Sequence, residues 1–296
     1  MTMTSNRPRR SVLYMPGANA KALEKARTLA ADALILDLED AVAPDAKPEA
    51  RAAVAAAVAA RSYGAREVVI RVNSLTTPWG KDDVKAAVAA APDALLFPKI
   101  STAVEVEAAD AAMEAAGAGP GMGLWAMVET PLAILNIQEI ARASARTRLS
   151  AFVMGTNDLA KETRARLTPG REAFAAALSL SVTAARAYGL AVIDGVFNDI
   201  ADEAGFEAAC RRGVAFGFDG KTLIHPSQLA PCNAIFAPDP AEVAHARAVI
   251  AAFEAPENAG KGVLKVDGKM TELLHLDMAR ATVAVAEAIA TLEASL

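Results

Sequence analysis

The sequence contains few cysteines, few aromatic residues and no long hydrophobic run. Its 296 residues include two cysteines, Cys210 and Cys232, whose spacing fits neither a disulfide framework nor a zinc site. We expect both to be small buried apolar side chains. No apolar stretch approaches the roughly 20 residues of a membrane-spanning helix. The polar N-terminal residues lack a signal-peptide pattern, which predicts a cytoplasmic protein without a membrane partner.

Positive charge is not in excess. Lysine and arginine together number 30 against 35 acidic residues, giving a formal net charge of −5. The chain therefore offers no broad cationic surface to nucleic acid or anionic lipid. Alanine is what the sequence has in abundance, at about a quarter of all residues, well above ordinary usage. Alanine-rich segments such as residues 51–61 are strong helix formers.

Short apolar runs alternate with longer alanine-rich segments. The strand candidates are Ser11–Pro16, Ala33–Leu38, Val68–Val72, Ala94–Pro98, Gly123–Val128, Ala151–Gly155, Leu190–Asp194 and Val214–Asp219. Near-continuous apolar strands separated by helices indicate a parallel sheet covered on both faces. Eight such units predict an α/β protein of the (β/α)8, or TIM barrel, class. A doubly wound nucleotide-binding sheet would need a Gly-rich turn after the first strand, and this chain has none.

The chain continues well beyond the eighth predicted strand. We expect a loop, a helix, a connector and a last helix over residues 226–236, 240–254, 255–269 and about 273–292. A lone amphipathic helix on a flexible connector must bury its apolar face against something. The sequence therefore predicts a barrel domain over residues 1–235 and a C-terminal lid or oligomerisation arm over residues 236–296.

Polar side chains follow most of the predicted strands. In order they are Asp37, Glu39 and Asp40, Arg71 and Asn73, Lys99, Glu129, Asn157 and Asp158, Asp194, and Lys221 with His225 beyond. The C-terminal ends of barrel strands converge on the active site. A mouth lined by several carboxylates needs a counter-ion, and oxygen ligands from separate strands suit Mg²⁺.

Glu129 and Asp158 are the best candidate ligand pair, because each follows an almost entirely apolar strand. The alternative is that each caps the next helix. Arg71 stands in an apolar run, where an unpaired guanidinium would be costly. We expect it either to pair with a neighbouring carboxylate or to meet an anionic substrate at the mouth.

Together these motifs resemble the HpcH/HpaI aldolase superfamily, in particular its citrate lyase β-subunit-like branch. The matching segments are Arg10–Gly17, Leu36–Val42 with Lys47 and Ala50–Arg51, Ile70–Asn73, Phe97–Lys99, Val128–Thr130, Gly155–Leu159, Gly217–Lys221 with Ile224–Pro226, and Asp267–Met270. The resemblance implies a (β/α)8 barrel with a C-terminal lid, assembled as a homotrimer or a hexamer. It also implies an enzyme that uses Mg²⁺, with Mn²⁺ as the alternative, on a small-molecule CoA thioester.

The resemblance also suggests roles for individual residues. Glu129 and Asp158 match the metal ligands, and Arg71 matches the arginine at the reacting carbonyl. Asp37, Glu39 and Asp40 match the acidic residues around the metal and its waters, and Asp37 is also a candidate catalytic residue. Arg10, Lys21 and Lys25 lie where related chains gather cations for the phosphates of CoA.

The lid motif departs from the family pattern. Related chains end this motif in an aspartate that resembles an acid/base group delivered to a neighbouring subunit, whereas this chain has Glu272. The extra methylene matters, because a shift of about 1 Å in a catalytic group can cost about a hundredfold in rate. Either the lid compensates, or Asp267 takes part, or the reaction differs. Glu272 could also be an acid that stabilises the start of the last helix.

The leading expectation is a Mg²⁺-dependent carbon–carbon lyase. It would cleave a short β-hydroxyacyl-CoA, of the malyl-CoA or citramalyl-CoA type, into acetyl-CoA and a 2-oxo acid. The alternatives are a malyl-CoA thioesterase on the same site and a carrier-dependent citryl-CoA lyase subunit of a citrate lyase complex.

Overall fold

Eight parallel strands close into a barrel in the computed structural model, which describes residues 7–295. The strands are β1 (Ser11–Pro16), β2 (Ala33–Asp37), β3 (Glu67–Arg71), β4 (Ala94–Phe97), β5 (Gly123–Val128), β6 (Leu149–Met154), β7 (Ala191–Asp194) and β8 (Gly220–Leu223). Leu13 on β1 aligns with Leu34 on β2 and with Leu223 on β8, so the first strand closes the sheet. The predicted (β/α)8 class is confirmed.

Helices follow the strands and cover the outside of the barrel. They are α1 (Ala20–Lys25), α2 (Lys47–Ala59), α3 (Gly80–Ala90), α4 (Ala103–Ala115), α5 (Pro131–Leu135), α6 (Ile137–Arg142), α7 (Thr156–Thr163), α8 (Ala175–Tyr188), α9 (Glu203–Phe216) and α10 (Leu229–Phe236). Both cysteines are free and buried in this layer, as expected of small apolar side chains. None of the helices within residues 7–295 is long and apolar enough to cross a membrane.

The interior of the barrel is apolar. Alternate residues of each strand face inward, and Val12, Ile35, Val69, Leu96 and Trp125 are among the apolar side chains packed there. The amino-terminal end is closed by Arg9, whose Nε lies 2.6 Å from Glu67 Oε2 and whose guanidinium stacks 5.3 Å from the centre of the Trp125 ring. A site for a polar ligand is therefore expected at the carboxyl ends of the strands.

The eighth strand was predicted in the wrong place. Val214–Phe216 is the last part of α9, which ends at Gly217 in the left-handed region at φ +90°. The strand is Gly220–Leu223, a short and partly polar segment. Its Lys221 is buried and pairs with Asp194 at 2.9 Å. A segment that contains a charged residue can therefore form a central strand of this barrel.

The predicted loop over residues 226–236 is also wrong. A 3₁₀ turn over Pro226–Gln228 leads into the helix α10. Pro231 is compatible with this helix, because it lies in the first turn, where its missing N–H has no intrahelical partner to lose.

A second compact unit covers residues 237–295, and the barrel unit covers residues 9–236. It contains α11 (Pro240–Glu254), β9 (Val263–Val266), β10 (Lys269–Glu272) and α12 (Leu273–Glu293). The segment expected to be a plain connector is thus partly an antiparallel hairpin. Its turn is Asp267–Gly268, with φ of +50° and +79°, the backbone that a tight hairpin turn requires.

Candidate active site

Arg71 ends β3, and carboxylates at the end of β2 hold its guanidinium. Nε and Nη2 each donate to Asp37, over 2.6 Å to Oδ1 and 2.6 Å to Oδ2. Nη1 lies 2.8 Å from Glu39 Oε2 and 3.5 Å from Asp40 Oδ2. Burial alone would lower the pKa of Arg71, but these carboxylates raise it well above its ordinary value. Arg71 is therefore a fixed, permanent cation, and its pairing with neighbouring carboxylates is one of the two possibilities that the sequence left open.

Asp37 also accepts two backbone hydrogen bonds. Its Oδ1 accepts from the N–H of Glu39 at 2.9 Å and its Oδ2 from the N–H of Ala41 at 3.1 Å. With two further bonds from Arg71, each oxygen has two donors, which leaves little capacity for a metal or its waters. Asp37 is therefore the group that orients the guanidinium of Arg71.

An aromatic ring and a thioether complete the surroundings of Arg71. The Tyr14 ring centre lies 5.0 Å from the guanidinium carbon, and Met127 Sδ lies 3.7 Å from Nη1. Burial raises the pKa of the Tyr14 hydroxyl, so this ring stays neutral at physiological pH. Tyr14 was not singled out from the sequence, because its position depends on which alternate residues of β1 face the interior of the barrel.

Glu129 follows β5 directly and is 1% exposed. Its Oε1 accepts the backbone N–H of Lys99 at 2.7 Å. Gly155 provides the room for it, because a Cβ at that position would lie 2.4 Å from Glu129 Oε2. Burial, reinforced by the nearby charge of Glu39, raises the pKa of Glu129 to about 7. The helix-capping alternative fails for this residue, since Thr130 caps α5 through its hydroxyl.

Asp158 lies in the first turn of α7 and faces a lysine. Its Oδ1 is 3.2 Å from Nζ of Lys99, which is also 3.9 Å from Glu39 Oε1. Burial raises the pKa of Glu39 to about 7, and Arg71 only partly offsets this. The structure therefore brings Glu39, Glu129 and Asp158 together around Lys99, a residue to which the sequence assigned no separate role.

A cavity of about 330 Å³ opens at this end of the barrel. Asp37, Arg71, Glu129 and Asp158 form part of its wall. Apolar side chains also line it, namely Met127, Met154, Val196 and Ile224, together with the polar residues Tyr14, Asp40, Thr156, Asn157 and Thr222. The cavity can take a small molecule that carries both negative charge and a short hydrocarbon portion.

The carboxylate oxygens at the mouth of the barrel suit a hard cation that takes only a few of its ligands from the protein. No group of three His, Cys, Asp or Glu side chains within residues 7–295 is arranged to enclose a metal by itself. Mg²⁺ needs no such cage, because it is usually held by one or two carboxylates with waters and substrate oxygens. Glu129 and Asp158 match that requirement.

The structure corrects the prediction for Arg10. Its guanidinium is 3% exposed and precedes β1 at the amino-terminal end of the barrel. Nε and Nη2 donate to the two oxygens of Asp32, both over 2.9 Å. A buried, bidentate ion pair at the end opposite the cavity is structural, so Arg10 is not placed to meet CoA phosphates.

Lys21 and Lys25 have a different environment from Arg10. Both are exposed and lie one turn apart on α1, which follows the carboxyl end of β1. Neither lines the cavity. Their predicted contact with CoA phosphates stays a prediction.

Two polar strand residues expected at the mouth point elsewhere. Asp194 is buried outside the barrel wall, where it binds Arg171 at 2.6 Å and Lys221 at 2.9 Å. Its neighbour Ile193 takes the inward position. The two cations outweigh the effect of burial and lower the pKa of Asp194, which stays ionised. This cluster ties the last strands to the surrounding helices and does not belong to the cavity.

Glu272 ends β10 in the second unit and caps α12. Its side chain accepts from the backbone of His275, and its own N–H donates to His275 Nδ1 at 3.0 Å. The helix-start role considered from the sequence is therefore present. Asp267, in the hairpin turn, lies 2.9 Å from His245 Nδ1. A catalytic role for Glu272 stays a prediction.

Comparison with known families gives the same assignment as the motifs. The family described as HpcH/HpaI aldolase/citrate lyase matches residues 10–226. The chain belongs to this family. A (3S)-malyl-CoA thioesterase of Cereibacter sphaeroides is 51% identical over 288 residues, covering 97% of this chain and 98% of that protein. The family prediction is confirmed.

Other relatives carry lyase names. Citrate lyase subunit beta of Escherichia coli K12 is 38% identical, with 95% of this chain and 94% of that protein covered. An L-malyl-CoA/beta-methylmalyl-CoA lyase of Cereibacter sphaeroides is 33% identical, with 96% of each covered. The crystal structure of CitE from Mycobacterium tuberculosis, in complex with magnesium, acetoacetate and coenzyme A, superposes with a TM-score of 0.76 at 28% identity, covering 95% of this chain and 99% of that one. The family is thus one of lyases and thioesterases that work on CoA-linked substrates.

Proposed function

We propose that this protein is a Mg²⁺-dependent carbon–carbon lyase. Its substrate is a short β-hydroxyacyl-CoA of the malyl-CoA or citramalyl-CoA type, and its products are acetyl-CoA and a 2-oxo acid. The observation that carries the proposal is the fixed guanidinium of Arg71 in one cavity with Glu129 and Asp158. The magnesium and coenzyme A in the structure of the Mycobacterium tuberculosis relative support the choice of metal and substrate class.

Glu129 and Asp158 would hold the metal. Bound there, Mg²⁺ supplies a Lewis acid for the hydroxyl and carboxylate oxygens of the substrate, which eases loss of the hydroxyl proton near neutral pH. Glu129 is kept in place by the Lys99 backbone and by the space at Gly155. This arrangement fixes one ligand before substrate binds.

Arg71 serves the other half of the substrate. When the carbon–carbon bond breaks, negative charge grows on the thioester oxygen of the departing acetyl group, and a preorganised cation lowers the energy of that state. Within residues 7–295, Nη2 makes one hydrogen bond, to Asp37. Because a guanidinium has five N–H bonds, the second N–H of Nη2 is available to an oxygen in the cavity.

No serine, cysteine or histidine is among the described residues that line the cavity, but threonine hydroxyls and several carboxylates are. Either kind of group can act as the nucleophile of a covalent acyl intermediate. The lining therefore serves bond cleavage through an enolate and thioester hydrolysis alike, and the products decide between them.

Thioester hydrolysis by water is the second candidate. The observation in its favour is the 51% identity to (3S)-malyl-CoA thioesterase over nearly the whole chain. The same mouth could serve it, with the thioester oxygen at Arg71 and an acidic group directing water. The substrate would be the same, and only the products would differ.

Glu272 and the basic residues of α1 complete the proposal. Glu272 would protonate the enolate carbon, or direct water in the thioesterase, from a lid in a homotrimer or hexamer. Lys21 and Lys25 would contact the CoA phosphates. Glu39 and Asp40, which lie against Arg71, would balance charge at the mouth.

A panel of CoA thioesters tests the substrate class. The purified protein with Mg²⁺ should turn over malyl-CoA or citramalyl-CoA as free CoA thioesters, with products identified by mass spectrometry. Turnover of citryl groups only when they are attached to an acyl carrier would instead make the protein a subunit of a citrate lyase complex. No turnover of any β-hydroxyacyl-CoA would refute the proposal.

A further inference from the structure

We propose that Lys99 is an exchangeable counter-ion of the proposed metal ligands. Its ammonium group pairs with Asp158 and gives up that position when a divalent cation binds, turning to the carboxylate of the substrate. The inference rests on the proposed function, because it assumes that Glu129 and Asp158 take a metal. In this proposal Lys99 makes metal binding and substrate binding depend on each other.

Lys99 contacts both carboxylates through different parts of the residue. Its backbone N–H donates to Glu129 Oε1 at 2.7 Å, and its Nζ donates to Asp158 Oδ1 at 3.2 Å. The residue has a φ of +56°, in the left-handed region that side chains other than glycine rarely adopt. Such a backbone persists only where its surroundings impose it.

The backbone at Lys99 is fixed to the strand end that carries Glu129. Ser101 Oγ donates to the carbonyl of Lys99 at 3.3 Å and lies 2.7 Å from Thr130 Oγ1. Thr130 is the residue that follows Glu129. The N–H contact to Glu129 is therefore part of a rigid turn, and removing the lysine side chain should leave it intact.

The ammonium end is held much less firmly. The side chain is 42% exposed, and its partners within residues 7–295 are Asp158 at 3.2 Å and Glu39 at 3.9 Å. Neither contact is buried in the way that the Arg71 to Asp37 pair is. A lysine ammonium on a flexible four-carbon stem can move between partners at little cost.

The charges around the mouth explain why the Lys99 ammonium must move when a metal binds. Arg71 pairs with Asp37 and Glu39, and within residues 7–295 Lys99 is the cation that pairs with Asp158. An ammonium and a divalent cation at the same carboxylate oxygen would repel each other strongly at such short range. Lys99 does not itself line the cavity, but its ammonium lies 3.2 Å from Asp158, which does. A change of rotamer would bring the ammonium to the carboxylate of a β-hydroxyacyl substrate bound there.

A purely structural role for Lys99 and the proposed competition with the metal predict opposite changes in Mg²⁺ affinity when the ammonium is removed. If Lys99 served to hold Asp158 in position for the metal, removing its ammonium would weaken Mg²⁺ binding. If it competes with the metal, removing it strengthens Mg²⁺ binding. The sign of the change in metal affinity separates the two roles without any measurement of activity.

The experiment compares Mg²⁺ binding to the wild type, Lys99→Met, Lys99→Arg and Lys85→Met by isothermal titration calorimetry. Lys85 is exposed on α3, away from the cavity wall, and controls for the loss of one positive charge. Lys99→Met should bind Mg²⁺ about five- to tenfold more tightly than the wild type. Lys99→Arg and Lys85→Met should remain close to the wild type.

A second titration in saturating glyoxylate tests the coupling. Glyoxylate should strengthen Mg²⁺ binding by a larger factor in the wild type than in Lys99→Met, because the variant has no ammonium to release to the anion. Unchanged or weaker Mg²⁺ binding by Lys99→Met, with the wild type binding normally, overturns the inference alone. A wild type that binds no Mg²⁺ overturns both the inference and the proposed function.

Discussion

Asp37 binds Arg71 through both carboxylate oxygens, each 2.6 Å from a guanidinium nitrogen. The pair is buried at the end of two adjacent strands, and the remaining lone pairs of Asp37 accept backbone N–H groups. The guanidinium is thus aimed before any substrate arrives, which is what makes a charged group effective in stabilising a transition state.

Replacing Asp37 with asparagine should impair catalysis without impairing metal binding. An amide cannot accept both guanidinium hydrogen bonds, so Arg71 loses its fixed direction, and kcat should fall about 10- to 100-fold. Mg²⁺ affinity by calorimetry should change less than about twofold, because the oxygens of Asp37 are already occupied by Arg71 and by backbone N–H groups. A parallel loss of Mg²⁺ affinity would show that Asp37 acts on the metal after all. Thermal unfolding of the variant controls for loss of the fold.

Arg71→Lys keeps the charge but removes the planar, bidentate geometry. We expect kcat to fall about 100- to 1,000-fold, the size of effect seen when one oxyanion-stabilising group is lost. KM and Mg²⁺ affinity should change far less, since neither depends on charge that develops only in the transition state. Steady-state kinetics with malyl-CoA measures the change in kcat separately from the change in KM. A variant as active as the wild type would end the assignment of Arg71 to the thioester oxygen.

Glu129→Gln and Asp158→Asn should each abolish Mg²⁺ binding and activity. Each removes a carboxylate oxygen from a site with few protein ligands, and Mg²⁺ binds neutral amides poorly. Glu139→Gln, an exposed change on α6, is the matched control and should retain both properties. Calorimetry and a coupled assay measure them, and circular dichroism should show an unchanged fold. Normal metal binding in either ligand variant would refute the ligand assignment.

Gly155→Ala tests the packing around Glu129. The added Cβ would lie 2.4 Å from Glu129 Oε2 and 2.5 Å from its Cβ, so the carboxylate must move. We expect Mg²⁺ affinity to fall about tenfold or more. At Gly119 the same substitution meets no atom within 4 Å among the described residues and should leave Mg²⁺ affinity unchanged. Equal affinities in the two variants would show that the position of Glu129 does not matter to the metal.

Metal binding should depend on pH near neutrality. Burial raises the pKa of both Glu129 and Glu39 to about 7, so a proton competes with the metal below that pH. Mg²⁺ affinity should therefore rise from about pH 6 to about pH 8, because metal binding requires the deprotonated carboxylate. Calorimetry across that range, in buffers of different ionisation enthalpy, counts the protons released. In Glu39→Gln the rise should shift to lower pH, because a neighbouring negative charge is gone. A flat profile would contradict this account of the mouth.

Much of the barrel could be predicted because burial on both faces makes its strands continuous apolar runs. Ser11–Pro16 and Gly123–Val128 have the predicted bounds, and five further strands differ by one or two residues at one or both ends. The eighth strand was missed because Gly220–Leu223 contains a buried lysine whose partner, Asp194, is remote in sequence. The hairpin was missed because β9 and β10 are only four residues each and largely exposed, although Asp267–Gly268 is a strong turn signal.

The sequence indicated which residues approach the mouth better than it indicated which way they point. Arg71, Glu129 and Asp158 gather as expected, because the carboxyl ends of barrel strands converge. Asp194 faces the helices instead, since the adjacent Ile193 takes the inward position and alternate residues face opposite sides. The Lys99 contacts were beyond sequence reasoning, because they depend on a left-handed backbone that no local pattern announces.

Product identification tests the central claim most directly. Malyl-CoA is incubated with Mg²⁺ and either the wild type or Glu129→Gln, and all products are resolved by mass spectrometry. A lyase yields acetyl-CoA and glyoxylate in equal amounts with the wild type and neither with the variant. Free CoA together with intact malate would contradict the lyase assignment and establish hydrolysis at the same site.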